Sequence, residues 1–320
     1  MNRMSSFMKS LKIPRFHLDR DPYYVTALGF LLARTVLAGS LAPFAPAFYA
    51  GLRRQDKRLS LYAALGSAAG AATMRDWDLL AYNVLAFILV TLAMRVGQDR
   101  KAPGILDSLL SGGIVAVSRL VTAAVNSPSL FSYMSALLEG LCAVVVVALT
   151  QIAFSPHRDK GPSFTERASE ALLVLVLLSL GGLQGLTVYG VGVLAVAAMG
   201  CTLVAGFAAG PGGGAIAGLA AGLVVVLTGS DSVAILGVLG LSGLLAGVGG
   251  WFGRIESVLG YLSGGLLMSV YAESSGDLAI RLTEQVISCV AMLLLTRRSE
   301  KMLSEHFPVL AAGKNAPRPR

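Results

Sequence analysis

Apolar residues occur in this sequence as long continuous runs rather than at alternating positions. Each run approaches the roughly 20 residues that an α-helix needs to cross about 30 Å of hydrocarbon. The pattern predicts an all-α, polytopic transmembrane helix bundle, because β-barrel strands would alternate in polarity. About ten spans are predicted, at 59–74, 78–95, 104–125, 131–154, 168–186, 188–209, 212–229, 232–250, 257–273 and 277–296.

A further apolar segment, at 24–50, does not fit this simple pattern. It contains Arg34 and Pro43, and both of its flanks are strongly basic, so a plain crossing would place one basic flank outside. We predict a broken or re-entrant element that turns within 40–43, because proline removes a helical hydrogen bond. The freed carbonyls must then be buried in protein. The alternative is an ordinary first span, in which case 59–74 is not a true span.

Basic residues cluster in every second loop, and this alternation predicts the orientation of the bundle in the membrane. Cytoplasmic loops are enriched in Lys and Arg. Both termini are therefore expected in the cytoplasm, with cytoplasmic segments at 3–20, 53–58, 95–101, 155–167 and 297–320 and external loops at 126–130 and 273–277. The chain divides into a basic N-terminal segment (1–23), a transmembrane bundle (24–296) and a polar tail (297–320). The tail is expected to be the start of a linker to a further domain.

The composition supports a membrane protein. The 320 residues are 55% hydrophobic and 14% charged, with a mean hydropathy of +0.70, whereas a soluble domain carries about 25% charged residues. The net charge of +8 does not indicate nucleic-acid binding, because the basic residues lie in separate loops. The three cysteines lie in apolar runs and the three histidines lie far apart, so neither a disulfide framework nor a metal or cofactor site is predicted.

Glycine is concentrated in the second half of the chain, where 25 of the 37 glycines lie within 181–276. Small residues let helix backbones approach closely where lipid provides no hydrophobic drive. Pro211 predicts a cytoplasmic turn within the glycine-rich region, so the glycines on its two sides belong to two helices. Tight packing is the favoured interpretation, and a flexible break lining a substrate path is the alternative. The glycines concerned recur every four residues, at Gly206, Gly210, Gly214, Gly218 and Gly222, with further pairs at Gly243 and Gly247, Gly260 and Gly264, and Gly66 and Gly70.

Ionisable residues inside the membrane are costly and are therefore functional candidates. Arg34, Arg119 and Glu139 lie deepest in the predicted spans. Arg119 and Glu139 lie on consecutive antiparallel spans at matching depth, so we predict an ion pair that fixes helix register, with a proton or ion relay as the alternative. Arg34 then needs backbone carbonyls, such as those freed near Pro43. The spans contain no catalytic constellation, so the chain as given is not expected to be an enzyme.

Several segments resemble the N-terminal polytopic membrane region of stage II sporulation protein E of endospore-forming bacteria. The resemblance covers about 24–300, and one departure is Ala33, where glycine is expected before the arginine. The segments are Gly29-Phe-Leu-Leu-Ala-Arg34, Leu41-Ala-Pro-Phe-Ala-Pro-Ala-Phe48, Gly210-Pro-Gly-Gly-Gly-Ala-Ile-Ala-Gly218, Gly240-Leu-Ser-Gly-Leu-Leu-Ala-Gly247 and Gly260-Tyr-Leu-Ser-Gly-Gly-Leu266.

The resemblance implies a function that extends beyond this chain. In that family the membrane region precedes a manganese-dependent phosphatase of the 2C type. The phosphatase dephosphorylates an anti-anti-sigma factor and so activates the forespore sigma factor at the asymmetric septum, where the protein also contacts the tubulin-like division protein. The catalytic part is absent here, so the chain is expected to be the membrane portion of a longer protein or a truncated relative.

Three hypotheses of different classes follow. The favoured one is a module for membrane anchoring, septal localisation and self-association. A secondary transporter would instead show broken helices in corresponding positions of two repeated halves, and a membrane-embedded enzyme would carry catalytic pairs at membrane depth. The sequence shows one candidate break, at 24–50, and no internal repeat, which favours the anchoring module.

Overall fold

The computed structural model describes residues 21–96, 105–126, 128–155, 162–272 and 275–294. Helices make up most of this part of the chain, which confirms the predicted all-α class. The helices are α1 (Pro22–Arg34), α2 (Phe44–Gln55), α3 (Lys57–Thr73), α4 (Trp77–Val96), α5 (Ile105–Asn126), α6 (Leu130–Ala153), α7 (Pro162–Leu180), α8 (Val193–Leu227), α9 (Ala234–Gly250), α10 (Arg254–Ala272) and α11 (Ser275–Leu294).

Between α7 and α8 the chain forms a 3₁₀ turn, Gly181–Leu183, and a small antiparallel hairpin of β1 (Thr187–Val188) and β2 (Val191–Gly192). The predicted cytoplasmic segments 3–20 and 297–320 lie outside the described residues, as do 97–101 and 156–161 of the predicted loops 95–101 and 155–167. Residues 162–167 of the second loop are instead the start of α7.

Within the described residues, four helical stretches are long and apolar enough to cross a membrane, so this is a membrane protein. They are Trp77–Arg95, Leu106–Asn126, Leu130–Ala153 and Val193–Leu227, and two shorter apolar helices occur at Glu170–Leu183 and Ala234–Gly250. The count of about ten spans is not confirmed by length and composition and stays a prediction.

The segment 24–50 is broken, as the sequence predicts. Helix α1 packs in parallel against α3, because Thr26 lies beside Gly66 and Phe30 lies beside Gly70. Helix α2 ends at Gln55, directly before α3 begins. The chain therefore runs along α1 and returns along α2 to the end of the bundle from which it started. At 13 and 12 residues, these helices extend about 20 and 18 Å, too short to cross the hydrocarbon individually.

Helix α8 also contains a reversal, at Gly210, directly before the Pro211 at which the sequence predicts a turn. Its 35 residues have helical backbone angles except at Gly210, which has φ 76° and ψ −168°. A Cβ built on Gly214 would lie 2.7 Å from the Cα of Gly206, although eight residues separate the two positions. A continuous helix would separate them by about 12 Å. Residues 193–209 (α8a) and 211–227 (α8b) therefore form a helical hairpin.

Successive helices from α3 onward run in alternating directions. Gly112 of α5 packs beside Val144 of α6, and Ala116 lies beside Gly140, so the paired positions move in opposite directions along these two helices. The same opposed order holds for α8b against α9 and for α9 against α10. We call the end that holds 74–76, 184–192 and 228–233 the distal end. The proximal end holds Asp56, the Gly210 turn and 251–253.

Two hydrophobic cores lie side by side in the bundle. The first is built around Phe48, Tyr82 and Val147 and draws its buried residues from α1 to α7. The second is built around Leu203, Leu239 and Tyr261 and draws on α7 to α11. Helix α7 contributes to both cores, so it forms the boundary between the two halves of the bundle.

The alternating directions predict which loops share a side of the membrane. Tyr189, at the distal end, and Phe252, at the proximal end, are both exposed. In a variant lacking the three native cysteines, we expect Tyr189→Cys to react with an impermeant maleimide in intact protoplasts. Phe252→Cys should react only after permeabilisation. Labelling of Phe252→Cys in intact protoplasts would contradict the orientation predicted from the basic loops.

Candidate functional site

The non-helical segment between α1 and α2, residues 35–43, is the centre of the candidate site, and we call it the junction loop. It turns at Ala38 and Gly39, which have φ values of 49° and 73°, and Leu37 and Leu41 exchange two backbone hydrogen bonds across the turn. The turn therefore lies slightly before the predicted 40–43. Pro43 instead precedes the first residue of α2, where its missing N–H is not needed.

Arg119 of α5 and Glu139 of α6 form the predicted ion pair, with 3.2 Å between Arg119 Nε and Glu139 Oε1. The Glu139 side chain is fully buried and the Arg119 side chain is 24% exposed. The guanidinium also lies over the ring of Tyr82, 5.2 Å from its centroid. The ion pair and the Tyr82 ring thus hold α4, α5 and α6 together.

Both members of this pair also bind the junction loop. Arg119 Nη2 donates to the carbonyl of Ser40 over 3.3 Å, and the N–H of Ala42 donates to Glu139 Oε1 over 3.4 Å. The pair therefore supplies one donor and one acceptor to a backbone that has left helical geometry. In a bilayer, such a backbone is stable only where protein groups satisfy it.

Arg34 lies at the end of α1, and its partners differ from the expected ones. Its Nε donates to the carbonyl of Gly182 over 2.8 Å, and its Nη1 donates to Thr73 Oγ1 over 2.6 Å. The suggestion that Arg34 uses carbonyls freed near Pro43 is wrong, because Arg119 takes the carbonyl of Ser40. Arg34 instead holds α1 to the end of α3 and to the turn after α7.

The junction loop also reaches the second half of the bundle. The N–H of Ala38 donates to the carbonyl of Leu227, the last residue of α8b, over 2.6 Å. Thr35 Oγ1 donates to the carbonyl of Leu178 in α7 over 3.3 Å. The loop therefore contacts α5, α6, α7 and α8b, and it joins the two hydrophobic cores near the distal end.

The predicted glycine positions form a close seam between α8b and α9. Gly214 faces Gly243, Gly218 faces Leu239, and a Cβ at Gly214 or Gly218 would approach a carbonyl oxygen of α9 to 2.1 or 2.2 Å. A Cβ at Gly247 would lie 2.3 Å from the carbonyl carbon of Gly210. No real Cβ tolerates such distances, so these glycines set the spacing of the two helices.

Gly222, at the end of this seam, is less constrained. A Cβ there would lie 3.2 Å from the Cα of Leu236.

A second seam joins α1 and α3, where a Cβ at Gly66 would lie 2.1 Å from the carbonyl oxygen of Thr26 and one at Gly70 would lie 2.3 Å from that of Phe30. Helix packing through glycine therefore operates in both halves of the bundle.

Two further ion-pair groups were missed by the sequence reasoning. Arg54 of α2 pairs with Asp107 of α5 over 3.0 Å near the proximal end. Near the distal end, Arg281 pairs with Glu284 over 3.0 Å and with Asp231. The spacing of Arg281 and Glu284, three residues apart on one helix, was the available signal. Asp231 carried no such signal, because it lies in a remote loop.

The deep ionisable side chains contact one another and backbone groups of other segments. Among the residues that the structure describes, no three His, Cys, Asp or Glu side chains lie together as a metal site would require. The deep charges are used to hold helices and a loop in place. Fold and site together define a helical membrane module whose deep charged side chains bind neighbouring helices and loops.

The chain belongs to the family described as SpoIIE, N-terminal domain, whose match covers residues 1–304. It is therefore a membrane-associated module of the sporulation protein type. It is similar to stage II sporulation protein E of Bacillus subtilis (strain 168), with 24% identity over 314 residues, which cover 95% of this chain and 38% of that protein. The chain thus spans well under half of its relative's length. No solved structure matches it.

The ion pair generates a prediction about stability. Glu139→Ala would leave the Arg119 charge and the Ala42 N–H without their buried acceptor, so we expect a loss of about 3 kcal/mol in the free energy of unfolding. Exchanging the two residues (Arg119→Glu with Glu139→Arg) should recover only part of this loss, because arginine cannot accept the Ala42 hydrogen bond. Thermal melting in detergent micelles measures both effects.

Glu170→Gln is the matched control for this series, because the Glu170 side chain is exposed on α7. Its melting temperature should stay close to that of the unmodified protein. Equal melting temperatures for Glu139→Ala and Glu170→Gln would mean that the ion pair does not support the junction loop.

The glycine seam generates a second prediction. Gly218→Ala should force α8b and α9 apart and cost about 1–3 kcal/mol. Gly222→Ala should cost less, because its neighbours leave more room. Gly200→Ala, with nothing within 4 Å of the added Cβ, should be neutral or stabilising by about 0.5–1 kcal/mol. Detergent melting curves that rank the variants in another order would refute this account of the seam.

Proposed function

We propose that this chain anchors, localises and oligomerises a sporulation protein at the asymmetric septum. In this proposal the bundle crosses the membrane about ten times, with its proximal end and both termini in the cytoplasm. A phosphatase 2C-type domain, beyond this chain, performs the catalysis with manganese. The bundle positions that domain to dephosphorylate an anti-anti-sigma factor and so to activate the forespore sigma factor. The cell-division machinery is the expected partner.

The use of the deep charges is the observation that carries the proposal. Arg34, Arg119 and Glu139 each bind a backbone group of another segment. These contacts fix the bundle in one arrangement, as an assembly module requires. A relay would instead require several ionisable groups along one continuous path across the membrane.

The breaks in the helices also favour an anchor over a secondary transporter. Transporters place discontinuous helices in corresponding positions of two repeats, around a site near the midplane. Here the first half is interrupted by the junction loop, whereas the second is interrupted by a tight turn at Gly210. The two interruptions lie towards opposite ends of the bundle. They therefore do not form the related pair that alternating access uses.

A localisation experiment tests the proposal in a sporulating cell. We would fuse a fluorescent protein after residue 320 and compare it with the same reporter on an unrelated ten-span anchor replacing 1–296. We expect the first reporter to concentrate at the asymmetric septum and to photobleach in several steps per spot, because placement and self-association depend on specific helix surfaces. The second reporter should spread evenly over the membrane.

The same replacement in the full-length protein separates placement from catalysis. Phosphatase activity on the phosphorylated substrate should be retained, since the proposal assigns no catalytic group to 1–296. The timing of sigma-factor release should change. Septal enrichment of the unrelated anchor would show that the bundle acts only as a general membrane anchor. Loss of intrinsic phosphatase activity would show that the bundle takes part in catalysis.

A further inference from the structure

A cavity of about 710 Å³ opens at the distal end of the bundle, lined by residues within 184–195, 225–232 and 280–284. Its size lies within the range of about 300–1,000 Å³ that is usual for small-molecule sites. The charged part of its lining comes from Asp231, Arg281 and Glu284, and the apolar part includes Leu194, Val225 and Ile280. The cavity thus combines apolar walls with charged groups, as ligand sites generally do.

The three charged residues form one connected group. Arg281 donates to Glu284 Oε2 over 3.0 Å and to Asp231 Oδ2. Glu284 Oε1 accepts from the N–H of Gly192, over 3.1 Å, directly before α8 begins. Among the described residues, two carboxylates share one guanidinium, so these three side chains together carry a net charge of −1. Glu284 also neutralises part of the positive end of α8.

The charge balance determines which ligand the cavity favours. An anion would approach a group of net negative charge, whereas a cation adds to the group without breaking a contact. The side chain of Asp231 is 17% exposed, compared with 9% for Arg281 and 6% for Glu284. Asp231 is therefore the carboxylate that an entering ligand meets first. It retains acceptor capacity, because each carboxylate oxygen has two lone pairs.

A compact organic cation fits this site better than a metal ion. In the described part of the chain, no three His, Cys, Asp or Glu side chains lie close enough together to hold a metal ion, and Arg281 lies between the two carboxylates of the cavity. A primary ammonium offers three donors and tolerates a nearby guanidinium once a carboxylate is present. The apolar walls would receive its hydrocarbon portion.

We propose that this distal cavity binds a small organic ammonium compound, with Asp231 as the residue that contacts the ammonium group and Leu194, Val225 and Ile280 as the apolar walls. The site is separate from the ion pair at the junction loop. The proposal does not depend on the function proposed above.

A charge series of one carbon skeleton tests the proposal. The purified full chain in detergent micelles would be melted at neutral pH with isopentylamine, isovaleramide or isovalerate, which carry a positive, neutral and negative charge. We expect isopentylamine to raise the melting temperature with saturation and the other two to have no saturable effect. No saturable shift with isopentylamine up to its solubility limit would overturn the proposal.

Variants identify the site of binding. Asp231→Asn should weaken the apparent affinity for isopentylamine by about tenfold or more, since a charge-assisted hydrogen bond is lost. Ala195→Phe fills the cavity from α8a without replacing a charged residue, so it should abolish binding even if Asp231→Asn folds poorly. Asp78→Asn, at another distal position where Asp78 Oδ1 accepts from Asn126, should bind as the unmodified protein does.

Two results would contradict this assignment. Unchanged isopentylamine affinity in both Asp231→Asn and Ala195→Phe would place binding elsewhere on the protein or in the micelle. A saturable shift of equal size with isovaleramide would show that the cavity selects an apolar body rather than a positive charge.

Discussion

A lipid bilayer offers no hydrogen bonds, so every peptide group that leaves helical geometry at membrane depth must find a partner within the protein. The junction loop is the place where this constraint acts most strongly. Arg119 and Glu139 satisfy backbone groups of Ser40 and Ala42, and Leu227 accepts from Ala38. These partners belong to both halves of the bundle. The hydrogen bonds that the junction loop requires therefore also hold the two hydrophobic cores together.

The helices and their breaks could be predicted from the sequence because both depend on local signals. Apolar runs set most helices to within a few residues, and proline and arginine within 24–50 marked the break. The exception is 181–192, where the predicted spans 168–186 and 188–209 meet: the chain forms a 3₁₀ turn and a hairpin there, so α7 lies six residues earlier and α8 begins five residues later than predicted. The pairing of Arg119 with Glu139 followed from equal depth on neighbouring spans. The partner of Arg34 could not be predicted in this way, because Gly182 lies 148 residues away and reaches Arg34 only through the packing of α7 against α1.

The glycine positions illustrate a different limit of sequence reasoning. The period of four identified Gly214, Gly218 and Gly222 as one face but gave them equal weight. The structure ranks them, because the backbone of α9 approaches Gly214 and Gly218 more closely than Gly222. Gly210 differs in kind, since its φ of 76° places it in the left-handed region that favours glycine. Gly210 allows the chain to reverse direction, whereas Gly214, Gly218 and Gly222 allow α8b and α9 to pack closely.

The long sequence separations around the junction loop impose an order on the assembly of the protein. Synthesis proceeds from the N-terminus, so α1 and α2 leave the ribosome before Arg119, Glu139, Gly182 and Leu227 exist. Until those residues are inserted, the loop between the two helices lacks its partners. The first part of the bundle to enter the membrane is therefore among the last to reach its final form, and it must be kept out of hydrocarbon by water, by the insertion machinery or by transient partners in the meantime.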